Sequence, residues 1–244
     1  MAKRSFRPLR KRLTDEHPDL DIDAAVAEGR VRVDGRYVTN PEASVPSNAS
    51  VVVEAPADLR GVPKLGYALD RCAVPVAGAV ALDVGAAAGG FTTALLERGA
   101  VRVYALDAGH GQLLGSLRQD PRVVNLEATN VAAADPTRIP DPIDVVVVDV
   151  SYLPLRSAVA QLHDVRFAPG AHLFGLVKPM FELALPALPT DEADHERAAD
   201  LAATGIAEAG WRVLDTFPSA VTGRHGAVEW FVHATAATPA PGLP

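Results

Sequence analysis

The stretch Val80-Ala81-Leu82-Asp83-Val84-Gly85-Ala86-Ala87-Ala88-Gly89-Gly90-Phe91 decides the fold. An apolar, partly β-branched run ends on an acid and gives way to a turn of small residues. Thr92-Thr93-Ala94-Leu95-Leu96-Glu97-Arg98 follows with the composition of a helix. Strand, close-approach loop and helix in that order define the start of an α/β unit, in which ligands sit beyond the carboxyl ends of the strands. Gly85, Gly89 and Gly90 let a ligand approach the backbone there. The spacing is not G-x-G-x-x-G, and no Lys-Ser/Thr pair follows, which argues against a dinucleotide fingerprint and a phosphate loop.

The same spacing fits the nucleoside-binding loop of an S-adenosylmethionine-dependent methyltransferase, with Asp83 close to the methionine or ribose part of the cofactor. Working outward, Arg102-Val103-Tyr104-Ala105-Leu106-Asp107 reads as a second strand. Its terminal acid lies about twenty residues beyond the glycines, where α/β nucleoside sites place a carboxylate against ribose hydroxyls. Asp107 is therefore the expected ribose ligand. Further strands are expected at 122–126, 143–151, 171–177, 211–214 and 228–232, with a helix starting near Pro63 and another over 194–210. The run Ile143 to Val148 is almost continuously apolar, as suits a central parallel strand covered on both faces.

The chain has 244 residues, of which 48% are hydrophobic, enough for one full core and a small module. Three regions are expected: a small module over 1–57, a catalytic domain over 58–236 and a disordered tail over 237–244. In the module, residues 21–28 suggest a short helix closed by Gly29. Val31-Arg32-Val33, the turn Asp34-Gly35 and Tyr37-Val38 suggest a hairpin, and 50–54 a last strand. A single cysteine, Cys72, excludes an internal disulfide, and no paired-thiol metal site is visible, so no metal is expected. There is no apolar run of membrane-spanning length and no signal-peptide core, which points to the cytoplasm and away from a membrane partner.

The net charge of −7 is unevenly placed. Residues 1–57 hold nine basic and nine acidic groups, so the whole excess of acid lies in the larger part. Lys3, Arg4, Arg7, Arg10, Lys11 and Arg12 form the one cluster able to neutralise several phosphates, and they are the candidate RNA contacts.

Asp83, Asp107, Asp149 and Lys178 all close apolar strands on one edge of the expected sheet. A buried strand seldom ends on a charge without a partner or ligand. Lys64 precedes the sheet, and Glu229 is expected inside the last strand.

Two resemblances sharpen this reading. Glu28-Gly29-Arg30-Val31-Arg32-Val33-Asp34-Gly35, with Asn40-Pro41 and the later valine strand, resembles the second half of the small RNA-binding domain shared by a ribosomal small-subunit protein and many pseudouridine synthases. The helix that usually carries a Ser-Arg pair ahead of that hairpin is replaced by the acidic segment His17 to Asp21. The larger part carries Arg60-Gly61-x-x-Lys64-Leu65, the glycine loop, Gly111-Gln112-Leu113 with Leu117 to Val123, Thr129-Asn130-Val131, Asp149-Val150-Ser151 and Lys178-Pro179-x-Phe181-Glu182. In order and wording these resemble the hemolysin A (TlyA) family of ribosomal RNA 2'-O-methyltransferases, related to the FtsJ type.

The resemblance implies a Rossmann-like methyltransferase fold with a seven-stranded, mostly parallel sheet behind a small α+β RNA-binding-like domain. It also implies S-adenosyl-L-methionine as cofactor and RNA as partner. A catalytic tetrad would fall on Lys64, Asp149, Lys178 and Glu229, with Lys178 as base, and the cofactor on Asp83, Gly85, Ala86, Gly89, Gly90, Phe91, Asp107, Asn130 and Asp149. Ala87-Ala88 stands where the family usually has Ser-Thr, and Gly226-Ala227 where it has Gly-Asn. Two other functions fit the acidic catalytic part and the altered front helix: a small-molecule O-methyltransferase, or a non-catalytic RNA-binding or hemolysin-like protein.

Overall fold

A computed structural model describes residues 5–38, 40–54 and 59–236. The expected linker at 55–58, the expected tail at 237–244, and Lys3 and Arg4 lie outside the described residues. Two compact units are present. One takes in the chain up to Asp58 together with Leu113–Asp120, and the other comprises Leu59–Gln112 and the chain from Pro121 onward.

In the first unit, β1 (Phe6–Pro8) leads into α1 (Leu9–Glu16) and α2 (Ile22–Ala27), followed by β2 (Val31–Val33), β3 (Arg36–Tyr37), β4 (Ser44–Pro46) and β5 (Val51–Val53). Asp21 caps α2 by accepting from the Ala24 N–H at 2.9 Å, and Gly29 at φ +66° closes it. The hairpin β2–β3 and the strand β5 form a three-stranded antiparallel sheet. Arg10, Lys11 and Arg12 lie on α1. Leu9 and Leu13, four residues apart on α1, are fully buried against Ile22, Ala25, Val26 and Val31. A helix thus does stand ahead of the hairpin, drawn from residues that read as a solvated run of charge.

The helix α5 (Gly115–Gln119) belongs to this first unit, so a single boundary at 57/58 does not describe the grouping. Glycine makes the junction. A Cβ on Gly29 would lie 2.3 Å from the Ser116 nitrogen, and one on Gly115 would lie 2.5 Å from the Tyr37 ring. The Ser116 hydroxyl also donates to the Glu28 carbonyl at 3.3 Å.

The second unit contains α3 (Gly61–Arg71), β6 (Val80–Val84), α4 (Gly90–Glu97), β7 (Arg102–Leu106) and β8 (Val123–Leu126). It continues through β9 (Ile143–Val148), α6 (Leu155–Ala160), β10 (Phe167–Val177), α7 (Pro179–Glu182), α8 (Glu192–Glu208), β11 (Trp211–Pro218) and β12 (Trp230–Ala236). The sheet order is β11-β12-β10-β9-β6-β7-β8, and β12 alone runs against its neighbours. This is the expected seven-stranded, mostly parallel sheet. Its core is built from the alternating faces of β6, β9 and β10, with α6 and α8 laid over one side through Ala158, Ala198, Ala202 and Ile206.

Two boundaries differ from expectation. The strand β11 runs on to Pro218 because a register shift between Val213 and Asp215 carries pairing past the point where the alternation breaks. Glu229 stands one residue ahead of β12, rather than within it. No described helix is long and apolar enough to cross a membrane.

Candidate active site

Register brings the charged strand ends to one edge. Val84 pairs with Val148, Gly175 with Val148, and Val177 with Trp230, so Gly85, Asp149 and Lys178 each follow the end of a parallel strand, and Glu229 precedes the start of the antiparallel β12 at the same edge. The loop after β6 lies directly on the end of β9. The Asp149 N–H donates to the Val84 carbonyl at 2.8 Å, and a Cβ on Gly85 would lie 2.2 Å from the Asp149 carbonyl oxygen. Gly85 has φ +89°, so both conformation and space require glycine there.

Four of the expected residues form two ion pairs. Lys64 Nζ donates to Glu229 Oε2 at 2.5 Å, and both side chains are under 10% exposed. Lys178 Nζ pairs with Asp149 Oδ1 and donates to Ser151 Oγ at 2.6 Å; both members of this second ion pair reach solvent.

Lys64 is positioned by close packing of α3 on α4. Gly61 and Gly90 meet so tightly that a Cβ on Gly90 would lie 3.0 Å from the Gly61 Cα. Glu229 is held from behind by its own loop. Ser219 donates to the Glu229 carbonyl, a Cβ on Gly223 would lie 2.4 Å from Glu229 Oε1, and Arg60 donates to the Gly223 carbonyl at 3.0 Å.

The other half of the edge has the chemistry of a nucleoside site. Asp83 is fully buried; its Oδ2 accepts from Thr92 Oγ1 at 2.7 Å, while its Oδ1 has no partner among the described residues. Desolvation pushes the Asp83 carboxyl up to about 7, against the Thr92 hydrogen bond and with help from the nearby Asp149 charge. Asp107 ties two loops together, accepting from the Ala87 N–H at 2.8 Å and the Gly109 N–H at 2.6 Å. Each carboxylate oxygen keeps a further lone pair for a hydroxyl.

Ala86 is buried beside Gly85, and Gly89 at φ +97° opens α4. Phe91 turns its ring inward, 3% exposed and stacked on Phe231 at 6.3 Å, so it can offer a ligand only its backbone N–H. Asn130 is exposed and caps the 3-10 turn Val131–Ala133 by accepting from the Ala132 N–H. A buried acceptor without a donor, a loop that excludes side chains and a second carboxylate beside it fit S-adenosylmethionine, whose ammonium and ribose hydroxyls are donors.

Sequence reasoning gave no role to Glu182 or Ser151. The Glu182 side chain is fully buried, accepts from the Leu155 N–H at 2.7 Å and from the Arg156 N–H at 3.4 Å, and pairs with the Arg156 guanidinium at 3.0 Å. It therefore caps α6 and ties the segment after Lys178 to the segment after Asp149. The signal was its place four residues beyond Lys178, but the partners lie 26 and 27 residues upstream. Glu182→Ala leaves one buried and one part-buried N–H donor unmatched and is expected to lose about 2–4 kcal/mol of stability, read by denaturant unfolding.

The candidate RNA contacts are mostly engaged within the first unit. Arg7 pairs with Asp15, Arg10 with Asp23 and Glu42, and Arg12 with Glu16, while Lys11 is exposed. Among the described residues no cluster of His, Cys, Asp and Glu could hold a metal ion.

Fold and site together define a methyltransferase that uses S-adenosylmethionine. A family model described as FtsJ-like methyltransferase matches residues 58–236, and the chain belongs to that family. It is 36% identical over 216 residues to the 16S/23S rRNA (cytidine-2'-O)-methyltransferase TlyA of Mycobacterium tuberculosis, covering 85% of this chain and 80% of that protein. It is 30% identical over 220 residues to Hemolysin A of Brachyspira hyodysenteriae, covering 85% and 90%. A solved hemolysin from Streptococcus thermophilus superposes with a TM-score of 0.70 at 25% identity, covering 97% of this chain and 90% of that one.

Proposed function

We propose that this protein methylates the 2'-hydroxyl of a ribose in ribosomal RNA, in the cytoplasm, with Lys64, Asp149, Lys178 and Glu229 as its catalytic group. The observation that carries this is a lysine amine, paired with Asp149, at the strand edge that also holds the nucleoside-type loop. The names of the relatives point the same way, since TlyA of Mycobacterium tuberculosis is a cytidine-2'-O-methyltransferase of 16S and 23S rRNA.

S-adenosylmethionine, when bound, supplies a methyl group on a sulfonium centre, so the protein's task is alignment and removal of one proton. Gly85, Ala86, Gly89 and Gly90 give the cofactor backbone contact, Asp107 accepts from its ribose, and Asp83 offers a buried carboxylate. Lys178 takes the proton of the attacking hydroxyl through its neutral amine. Asp149 orients that amine. Lys64 and Glu229 form a buried, mutually neutralising pair that adds little net field.

The test is transfer of labelled methyl from S-adenosylmethionine into ribosomal subunits and into free ribosomal RNA, followed by nuclease mapping. Label confined to ribose 2'-O-methyl groups at defined nucleotides is expected. Label on a base, or none in any RNA, would overturn the proposal. The internal pairing of Arg7, Arg10 and Arg12 favours a second reading, a small-molecule O-methyltransferase. RNA-independent turnover on a free hydroxyl compound would establish it instead.

A further inference from the structure

We propose that Ser151 is a positioning residue for the base, fixing the direction of the Lys178 lone pair. This rests on the ribose 2'-hydroxyl chemistry proposed above. A neutral lysine amine has two N–H donors and one lone pair, whereas the ammonium has three donors. Lys178 Nζ makes two polar contacts: one to Asp149 Oδ1, and one in which it donates to Ser151 Oγ at 2.6 Å. The Ser151 hydrogen bond and the Asp149 ion pair hold the amine from two sides. The remaining tetrahedral direction is left to the lone pair.

With Asp149 alone, the amine could turn about the end of a flexible four-carbon stem and present either a hydrogen or its lone pair to the nucleophile. A second acceptor removes that freedom. Ser151 is suited to this because a single residue, Val150, separates it from Asp149, at the point where β9 has ended and α6 has not begun. The segment that carries it is anchored in turn, since Glu182 holds the first two N–H groups of α6.

In the reaction, the O–H bond of the ribose breaks as its proton passes to the Lys178 lone pair. The oxygen forms the new C–O bond as the S–CH3 bond breaks, and sulfur keeps that electron pair as a neutral thioether. Lys178 leaves the step as an ammonium with three donors. Asp149 and Ser151 retain two of them, and the third is shed to solvent, which the exposed Ser151 borders.

The experiment compares Ser151→Ala and Ser151→Thr with the wild type in RNA methyl transfer across pH 6 to 9.5, with cofactor affinity measured by calorimetry. For Ser151→Ala, kcat is expected to fall about tenfold with KM and cofactor affinity unchanged, as suits misaimed but intact machinery. Ser151→Thr keeps the hydroxyl and is expected to recover the rate.

A Ser151→Ala enzyme with the wild-type rate overturns the role and leaves the proposed function standing. Equal losses in both variants, or lost cofactor binding, also overturn it, because they mark a structural defect. A wild type inactive on RNA removes the function and this role together.

Discussion

Lys178→Ala is expected to abolish RNA methyl transfer, with a loss of at least about 10^2- to 10^4-fold in the single-turnover rate, while cofactor affinity stays within about twofold. The prediction is sharper for Lys178 than for any other member of the group because of where the charges sit. Lys178 and Asp149 are 17% and 27% exposed, so water can solvate Asp149 once the lysine is gone, and folding is expected to change by no more than about 1 kcal/mol. Lys64 and Glu229 are 8% and 6% exposed, and removing either leaves a buried charge with a penalty of about 3–5 kcal/mol. Loss of activity in a Lys64 variant would therefore mix chemistry with unfolding. A Lys178→Ala protein that keeps more than about a tenth of the wild-type rate, at unchanged melting temperature, would remove Lys178 from the role of base.

The features legible in the sequence were those carried by short, local patterns. Val80 to Phe91 revealed a strand, a close-approach loop and a helix because apolar periodicity and glycine act within a dozen residues. Asp107, Asp149 and Lys178, each one residue past a strand, were visible for the same reason, since a charge closing an apolar run is a local contrast, whereas Asp83 stands inside β6, one residue before its end. What stayed hidden depends on contacts between distant segments. The buried face of α1 is two leucines, Leu9 and Leu13, set among basic residues whose charge dominates the local pattern until Ile22 and Val31 cover them. The membership of α5 in the first unit depends on backbone approach at Gly29 and Gly115, 86 positions apart in the chain, which no window can register. The real length of β11 was masked by a bulge, since one extra residue reverses the alternation that marks a strand. Glu182 looked like one more acid after Lys178, and only the fold shows it capping α6.

Asp83→Asn is expected to stabilise the cofactor-free protein and to cripple cofactor binding at once. The carboxyl is fully buried and titrates near 7 in the folded protein, against about 4 in an unfolded chain. Between those values the unfolded chain has lost the proton and the folded protein still holds it, so stability falls as pH rises from about 4 to about 7. Above 7 the folded protein carries a buried, half-satisfied carboxylate, a burden of order ~4 kcal/mol by linkage. Asparagine retains an acceptor for the Thr92 hydroxyl and removes the charge. The variant should therefore unfold at higher denaturant than the wild type at pH 8, with the difference shrinking toward pH 4. Binding runs the other way. An ionised carboxylate with a free Oδ1 suits the ammonium and hydroxyl donors of S-adenosylmethionine, so wild-type affinity should rise with pH through about 7. In Asp83→Asn that rise should vanish and affinity should fall by about 10- to 100-fold, the size of a lost charge-assisted hydrogen bond. Calorimetric titration with S-adenosylmethionine at pH 6 and pH 8, beside denaturant unfolding at the same two values, reads both effects. A variant less stable than the wild type at pH 8, or one that binds the cofactor as tightly, would show that Asp83 is a structural acid; the opposite signs expected here are those of a residue held under electrostatic strain for its ligand.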